Sequence, residues 1–116
     1  MSKPVIGITL DSEPPGGYSK LPWYALREGA RLLGAKRLTG ADLYVTLEPC
    51  PMCAQAVSFA RLRRLYFGAY DPKGGGVEHG ARIFEQPSCH HRPEIVGGLE
   101  ERRAGALLRD FFRERR

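Results

Sequence analysis

A short apolar run ending in two closely spaced cysteines constrains this chain more than any other stretch. Leu43-Tyr44-Val45-Thr46-Leu47 is β-rich and almost continuously hydrophobic, the pattern of a strand covered on both faces. Pro49 turns the chain sharply. Pro51 suits the first turn of a helix, where its missing N–H costs nothing. Cys50 and Cys53 then lie three residues apart at the helix start. The unpaired N–H groups and the helix dipole there favour thiolate, the form that binds metal. Redox pairs and structural zinc sites share the C-x-x-C spacing, and two small buried residues would also satisfy it.

The remaining elements follow in alternation. Val5 to Leu10 reads as a strand, and 11–20, centred on Pro14-Pro15-Gly16-Gly17, as a loop. A helix from about Pro22 places Trp23, Leu26, Ala30 and Leu33 on one face and stops at Gly34. The next strand is Leu43 to Glu48. The helix from Pro51 carries Cys53, Ala56, Val57 and Ala60, which permit close packing. Leu65 to Ala69 is a third strand, 71–79 a glycine-rich loop, and Glu94-Ile95-Val96 a short edge strand ended by Gly97-Gly98. The last helix begins near Leu99, with Glu100 and Glu101 in its first turn and Arg113, Arg115 and Arg116 in its last. Its apolar face is Ala104, Leu107, Leu108 and Phe111. Strands alternating with helices imply a layered α/β fold on a largely parallel sheet, with about four strands and three helices.

At 116 residues the chain makes one small domain. No apolar run approaches membrane-spanning length and no signal peptide is recognisable, so the expected compartment is the cytoplasm. Three cysteines, two of them at metal spacing, argue against a disulfide framework. The net charge of +5 lies almost wholly after Ala25, which suits an anionic partner such as RNA.

From about Ala25 to Arg116 the chain resembles the C-terminal two-thirds of the bacterial tRNA adenosine deaminases. The strand followed by P-C-x-x-C is the signature of zinc-dependent nucleobase deaminases. The further matching stretches are Ala25-Leu26-Arg27-Glu28, 40–53, Phe67-Gly68-Ala69 with Asp71-Pro72-Lys73, His91-Arg92-Pro93-Glu94, and 106–112. The resemblance implies a three-layer α/β/α fold, cytidine-deaminase-like and altered at its N-terminus. It also implies a cytoplasmic homodimer acting on adenosine in a tRNA anticodon loop, with zinc held by Cys50 and Cys53. In that family zinc lowers the pKa of a bound water that attacks C6 of the flipped adenine, while a glutamate moves protons.

The resemblance breaks where the family carries H-x-E, its third zinc ligand and its catalytic acid. Lys20-Leu21-Pro22 falls on that motif, with Lys20 in the histidine position and Pro22 in the glutamate position. An ammonium is a poor ligand at neutral pH, and proline cannot shuttle protons. The family's first helix and first two strands have no counterpart. Residues 2–28 instead resemble the N-terminus of the γ-glutamyl hydrolases of the class I glutamine amidotransferase group, through 3–10, Gly17-Tyr18-Ser19-Lys20 and 23–28. The nucleophilic cysteine and histidine of those enzymes are not carried here. The two resemblances overlap at 25–28, as expected of a chimera joined at shared sequence: foreign over 1–24, deaminase-like over 25–116.

The other candidates follow from this frame. Glu48 is a weak candidate for proton transfer and a better one for accepting hydrogen bonds at the helix start. Asp11, Glu13 and His79 are possible substitute zinc donors, disfavoured because ligand geometry is demanding. Two thiolates alone leave a zinc tetrahedron half empty, so the metal should be weakly held. His91 matches a family histidine that is not a ligand and takes a loop or substrate-side role, and His90 beside it invites a metal reading. Gly74-Gly75-Gly76 lacks the lysine and spacing of a phosphate loop and reads as flexible. Asp71 and Lys73 resemble the loop lying along the tRNA backbone. Arg61, Arg63, Arg64, Arg109, Arg113, Arg115 and Arg116 are possible phosphate contacts, although each singly reads as a solvated helix end. Phe111 and Phe112 cannot both face one core, and the more exposed would stack on a base or cover a neighbouring subunit. The rival functions are a non-catalytic RNA-binding or interaction module and a non-functional gene fusion.

Overall fold

A computed structural model of the chain describes residues 5–7, 21–34 and 37–114. The strand that sequence places before the cysteines is β2 (Asp42–Leu47). It is flanked by β1 (Val5–Gly7) and β3 (Arg64–Ala69), and β4 (Glu94–Val96) closes the far side. All three pairings are parallel, in the order β1-β2-β3-β4. Parallel neighbours need crossovers. These are supplied by α1 (Leu21–Leu33), by α2 (Pro51–Ala60), and by a loop containing a 3-10 turn at Ile83–Glu85.

Helices α1 and α2 pack against each other on one face of the sheet. The core there joins Leu26 of α1 and Ala54 and Val57 of α2 to Leu43, Leu65 and Phe67 of the strands, closed by Leu38, Leu62, Val77 and Phe84. The opposite face carries α3 (Glu101–Glu114). Its Ala104 and Leu108 form a smaller cluster with Ala69 and Leu47. Gly68 allows this second layer to sit close, because a Cβ there would run into Ala104. Three layers on a parallel sheet are the architecture that the sequence implies. Among the described residues no helix is long and apolar enough to cross a membrane.

Several boundaries and exposures differ from expectation. Strand β2 is shifted one residue towards the N-terminus and is not covered on both faces. Tyr44 is 37% exposed and its ring stacks on Tyr66 at 4.3 Å. Helix α3 starts later than Leu99. The Leu99 N–H is held by the Phe67 carbonyl at 3.1 Å, and Glu100 takes a left-handed φ of 53°, so only Glu101 stands in the first turn. On that helix Leu107 is 55% exposed and does not belong to the packed face. The helix end at Gly34 is as expected, with its φ of 65° in the region that favours glycine. The strand expected over Val5 to Leu10 is described only for Val5–Gly7. Loop 11–20 and residues 115–116 lie outside the described residues, with Asp11, Glu13, Lys20, Arg115 and Arg116.

Candidate active site

Both cysteines sit where strand β2 gives way to α2. Cys50 is the N-cap, with extended φ −68° and ψ 169°, and Pro51 opens the helix. Cys53, one turn in, is fully buried, whereas Cys50 is half-buried. Neither is in a disulfide. As a thiolate Cys50 is stabilised first by a hydrogen bond from Cys53, and also by backbone N–H groups at the helix start. Burial opposes these, and the balance holds its pKa down to about 6.

Around this turn lies the 71–79 loop, and Glu48 holds it. The Glu48 side chain is fully buried. Its Oε1 accepts from the Asp71 N–H at 3.1 Å and pairs with His79 Nδ1 at 2.8 Å. Its Oε2 accepts from the N–H groups of Val77, Glu78 and His79 at 3.2, 2.9 and 3.0 Å. Burial alone would push this carboxyl up, but the His79 ring and the backbone donors outweigh it and hold the pKa below the ordinary value. Glu48 therefore binds the loop rather than the helix start.

Two of the three successive glycines are packed in place. Gly75 and Gly76 are buried. A Cβ on Gly76 would stand 2.5 Å from Pro51 N and 2.8 Å from the Cys50 carbonyl carbon. The Gly76 N–H donates to the Pro49 carbonyl at 2.8 Å, which seals the loop onto the thiol turn. Asp71 caps the loop from within: its Oδ1 accepts from the N–H groups of Lys73 and Gly74 at 3.2 and 2.9 Å, and Lys73 is exposed.

The other predicted residues are placed elsewhere. His91 Nε2 bonds the Leu62 carbonyl at 2.7 Å, and Ser58 Oγ and Cys89 Sγ both donate to the His91 carbonyl. This ties the segment to α2. Arg63 is turned inward in a two-pronged bond to the buried Asp42, at 2.9 and 2.5 Å, and is not a free phosphate contact. Arg64 pairs with Glu94 at 2.7 Å and Arg113 with Asp110 at 3.0 Å. Arg61, in a left-handed conformation, caps α2 with its backbone. Pro22 is the second residue of α1. The side chains of Pro22, Phe111 and Phe112 lie outside the description. Sequence reasoning missed the Glu48–His79 pair and the Asp42–Arg63 bridge. Partners 31 and 21 residues apart leave no signal in spacing.

The zinc reading meets only part of its requirement. Cys50 and Cys53 are a suitable thiolate pair, yet among the described residues no three of His, Cys, Asp and Glu gather as a metal would need. His79 therefore does not complete a site with the cysteines. The described donors do not make a closed zinc centre.

The family model for MafB19-like deaminases matches residues 20–116. The chain belongs to that family. The tRNA-specific adenosine deaminase of Agrobacterium fabrum is 62% identical over 91 residues, covering 78% of this chain and 60% of that protein. The tRNA-specific adenosine deaminase of Bacillus subtilis is 47% identical over 89 residues, covering 77% and 55%. The chain thus spans about 60% of the length of these relatives. A chain solved in a study of A-to-I editing by tRNA:A34 deaminases at the wobble position of transfer RNA is similar with 52% identity and a TM-score of 0.75. That match covers 80% of this chain and 68% of the other. Guanine deaminase from Nitrosomonas europaea, at 23% identity, TM-score 0.59 and coverage of 84% and 59%, shares the fold.

Proposed function

We propose that this MafB19-like deaminase is built for hydrolytic conversion of adenosine to inosine in tRNA, and that as written it is impaired in the chemical step. The observation that carries the reading is the Cys50–Cys53 thiol pair at the start of α2, in a chain 62% identical to a tRNA-specific adenosine deaminase. Zinc is the metal this reading calls for, with the two thiolates supplying half of its shell. Lys20 and Pro22, standing at the positions of the family's histidine and glutamate, are the reason to expect impairment. Glu48 does not replace that glutamate in this reading, because its oxygens are engaged by the loop.

Substrate binding falls to the 71–79 loop and the basic residues at the C-terminal end of the sequence: Asp71 shaping the loop, Lys73 on its exposed rim, and Arg113, Arg115 and Arg116 as phosphate contacts. His91 contributes by holding its segment, with its Nε2 on the Leu62 carbonyl, rather than by contacting the substrate through that nitrogen. The expected compartment is the cytoplasm. Homodimerisation is supported by the apolar side chains left outward, Leu32 and Phe59 at 70% and 67% exposed. The deaminase family match begins at residue 20, so the γ-glutamyl hydrolase likeness of residues 2–28, and the chimera it suggests, rest on sequence alone. The second reading is an RNA-binding module without catalysis, favoured by Lys20 and Pro22.

Inosine formation on a tRNA transcript, measured with tRNA binding and zinc content on the same preparation, tests the proposal. The expected result is salt-sensitive tRNA binding, well under one zinc per chain and no detectable inosine. Absence of tRNA binding would overturn the substrate assignment. Robust inosine formation would overturn the impairment.

A further inference from the structure

Glu48 does more than hold a loop in place: it decides which nitrogen of His79 carries a proton. With four backbone N–H groups and the His79 ring on its two oxygens, Glu48 is an ionised, acceptor-only group. A hydrogen bond of 2.8 Å between Oε1 and Nδ1 therefore requires the proton on Nδ1. In the neutral ring the lone pair is then on Nε2. Nδ1 is sealed against a fully buried carboxylate, while the His79 side chain is 36% exposed. Nε2 is the ring nitrogen that Glu48 does not hold. Among the described residues no hydrogen bond uses Nε2. The ring also meets Tyr70 edge-on at 5.9 Å.

The chemistry of the surroundings gives this nitrogen a use. Lys and Arg side chains can only donate hydrogen bonds. They hold phosphates but cannot recognise a donor on the ligand. Nucleic acid offers such donors in base amino groups, and RNA adds the 2′-hydroxyl. We propose that Glu48 fixes His79 as the Nδ1–H tautomer so that Nε2 accepts a hydrogen bond from an N–H or O–H donor of RNA seated along the 71–79 loop. His79 is the contact and Glu48 its positioning residue. This rests on the RNA-binding reading above.

The test uses Glu48→Gln, His79→Phe and the full chain. In Glu48→Gln the amide oxygen still accepts from the Val77, Glu78 and His79 N–H groups. Its NH2 now faces Nδ1, which must become the acceptor, so Nε2 becomes N–H, and the Asp71 N–H loses its acceptor. Imidazole 15N shifts read the tautomer without RNA. Fluorescence anisotropy with an anticodon stem-loop reads affinity at fixed salt, and a melting curve checks that each variant is folded. The expected result is Nδ1–H in the wild-type chain and Nε2–H in Glu48→Gln. Affinity should fall about five- to tenfold in both variants, the effect of one hydrogen bond, with no further loss in the double variant. A stem-loop with 2′-deoxy sugars separates the sources. If the 2′-hydroxyl is the donor, it binds the wild-type chain as weakly as the variants; if a base amine is, the difference between wild type and variants persists. An Nε2–H tautomer in the wild-type chain would overturn the proposal. So would inverted tautomer with unchanged affinity in Glu48→Gln, which would leave RNA binding itself standing. A wild-type chain that binds no stem-loop would remove the contact together with the reading beneath it.

Discussion

Gly76→Ala is a one-methyl change aimed at the contact between the loop and the thiol turn. An Ala Cβ would lie 2.5 Å from Pro51 N, 2.6 Å from Pro51 Cα and 2.8 Å from the Cys50 carbonyl carbon. Comfortable separations between such atoms are about 3.5 to 4.0 Å, so the two backbones must part by about 1 Å. All three obstacles are main chain and cannot rotate away. Overpacking of this kind costs about 1 to 3 kcal/mol. Parting also breaks the Gly76 N–H to Pro49 carbonyl bond, and a buried amide left unpaired costs a further ~1 to 3 kcal/mol. A total near ~3 kcal/mol corresponds to a fall in Tm of roughly 12 °C at this chain length. Gly74→Ala is the internal control. Gly74 is exposed and its Cβ would meet only the Asp71 side chain, at 3.0 Å, so its effect should stay within about 0.5 kcal/mol. Thermal unfolding by circular dichroism measures both. Iodoacetamide labelling of Cys50 should quicken in Gly76→Ala alone, because the loop no longer covers the turn. Equal melting temperatures for the two variants, or a Gly76→Ala chain with wild-type labelling, would refute the packing argument.

Labelling of Cys50 across pH should follow a midpoint near 6, and Cys53→Ala should move that midpoint up by removing the largest stabilising bond. Because the folded value lies below the ordinary thiol value of 9.0, the thiolate's contribution to stability is full above about pH 9 and is lost as pH falls through about 6. Glu48 follows the same sign lower on the scale. Its depressed pKa makes the clamp a source of stability at neutral pH that is lost as pH falls below the ordinary carboxylate range, and amide exchange at Val77 and Glu78 should accelerate there first. Lys20→His with Pro22→Glu should raise retained zinc, measured by elemental analysis after mild chelation, and produce at most a trace of inosine. General acid–base catalysis contributes about a hundred- to ten-thousandfold, so strong activity in the unaltered chain would mean that another acid serves.

The elements were legible in sequence because each is written locally. The β-rich run of 43–47, Pro51 at a helix start and Gly34 at a helix end carry their signals in adjacent residues, and β2, α2 and α1 stand where those signals put them. The thiol pair was legible for the same reason, since three-residue spacing on a helix determines proximity. What sequence could not say is which distant groups meet. Nothing in the 71–79 stretch announces that four of its N–H and ring nitrogens, with Asp71's, converge on a carboxylate more than twenty residues earlier. Three successive glycines read as slack until the fold presses two of them against Glu48 and Pro51. Arg63 and Arg64 are neighbours of like charge in sequence, yet one is spent on the buried Asp42 and the other on Glu94. A hydrogen bond or a close approach depends on position to within a fraction of an ångström, and that precision arises only when the strands are laid side by side and the loops between them closed.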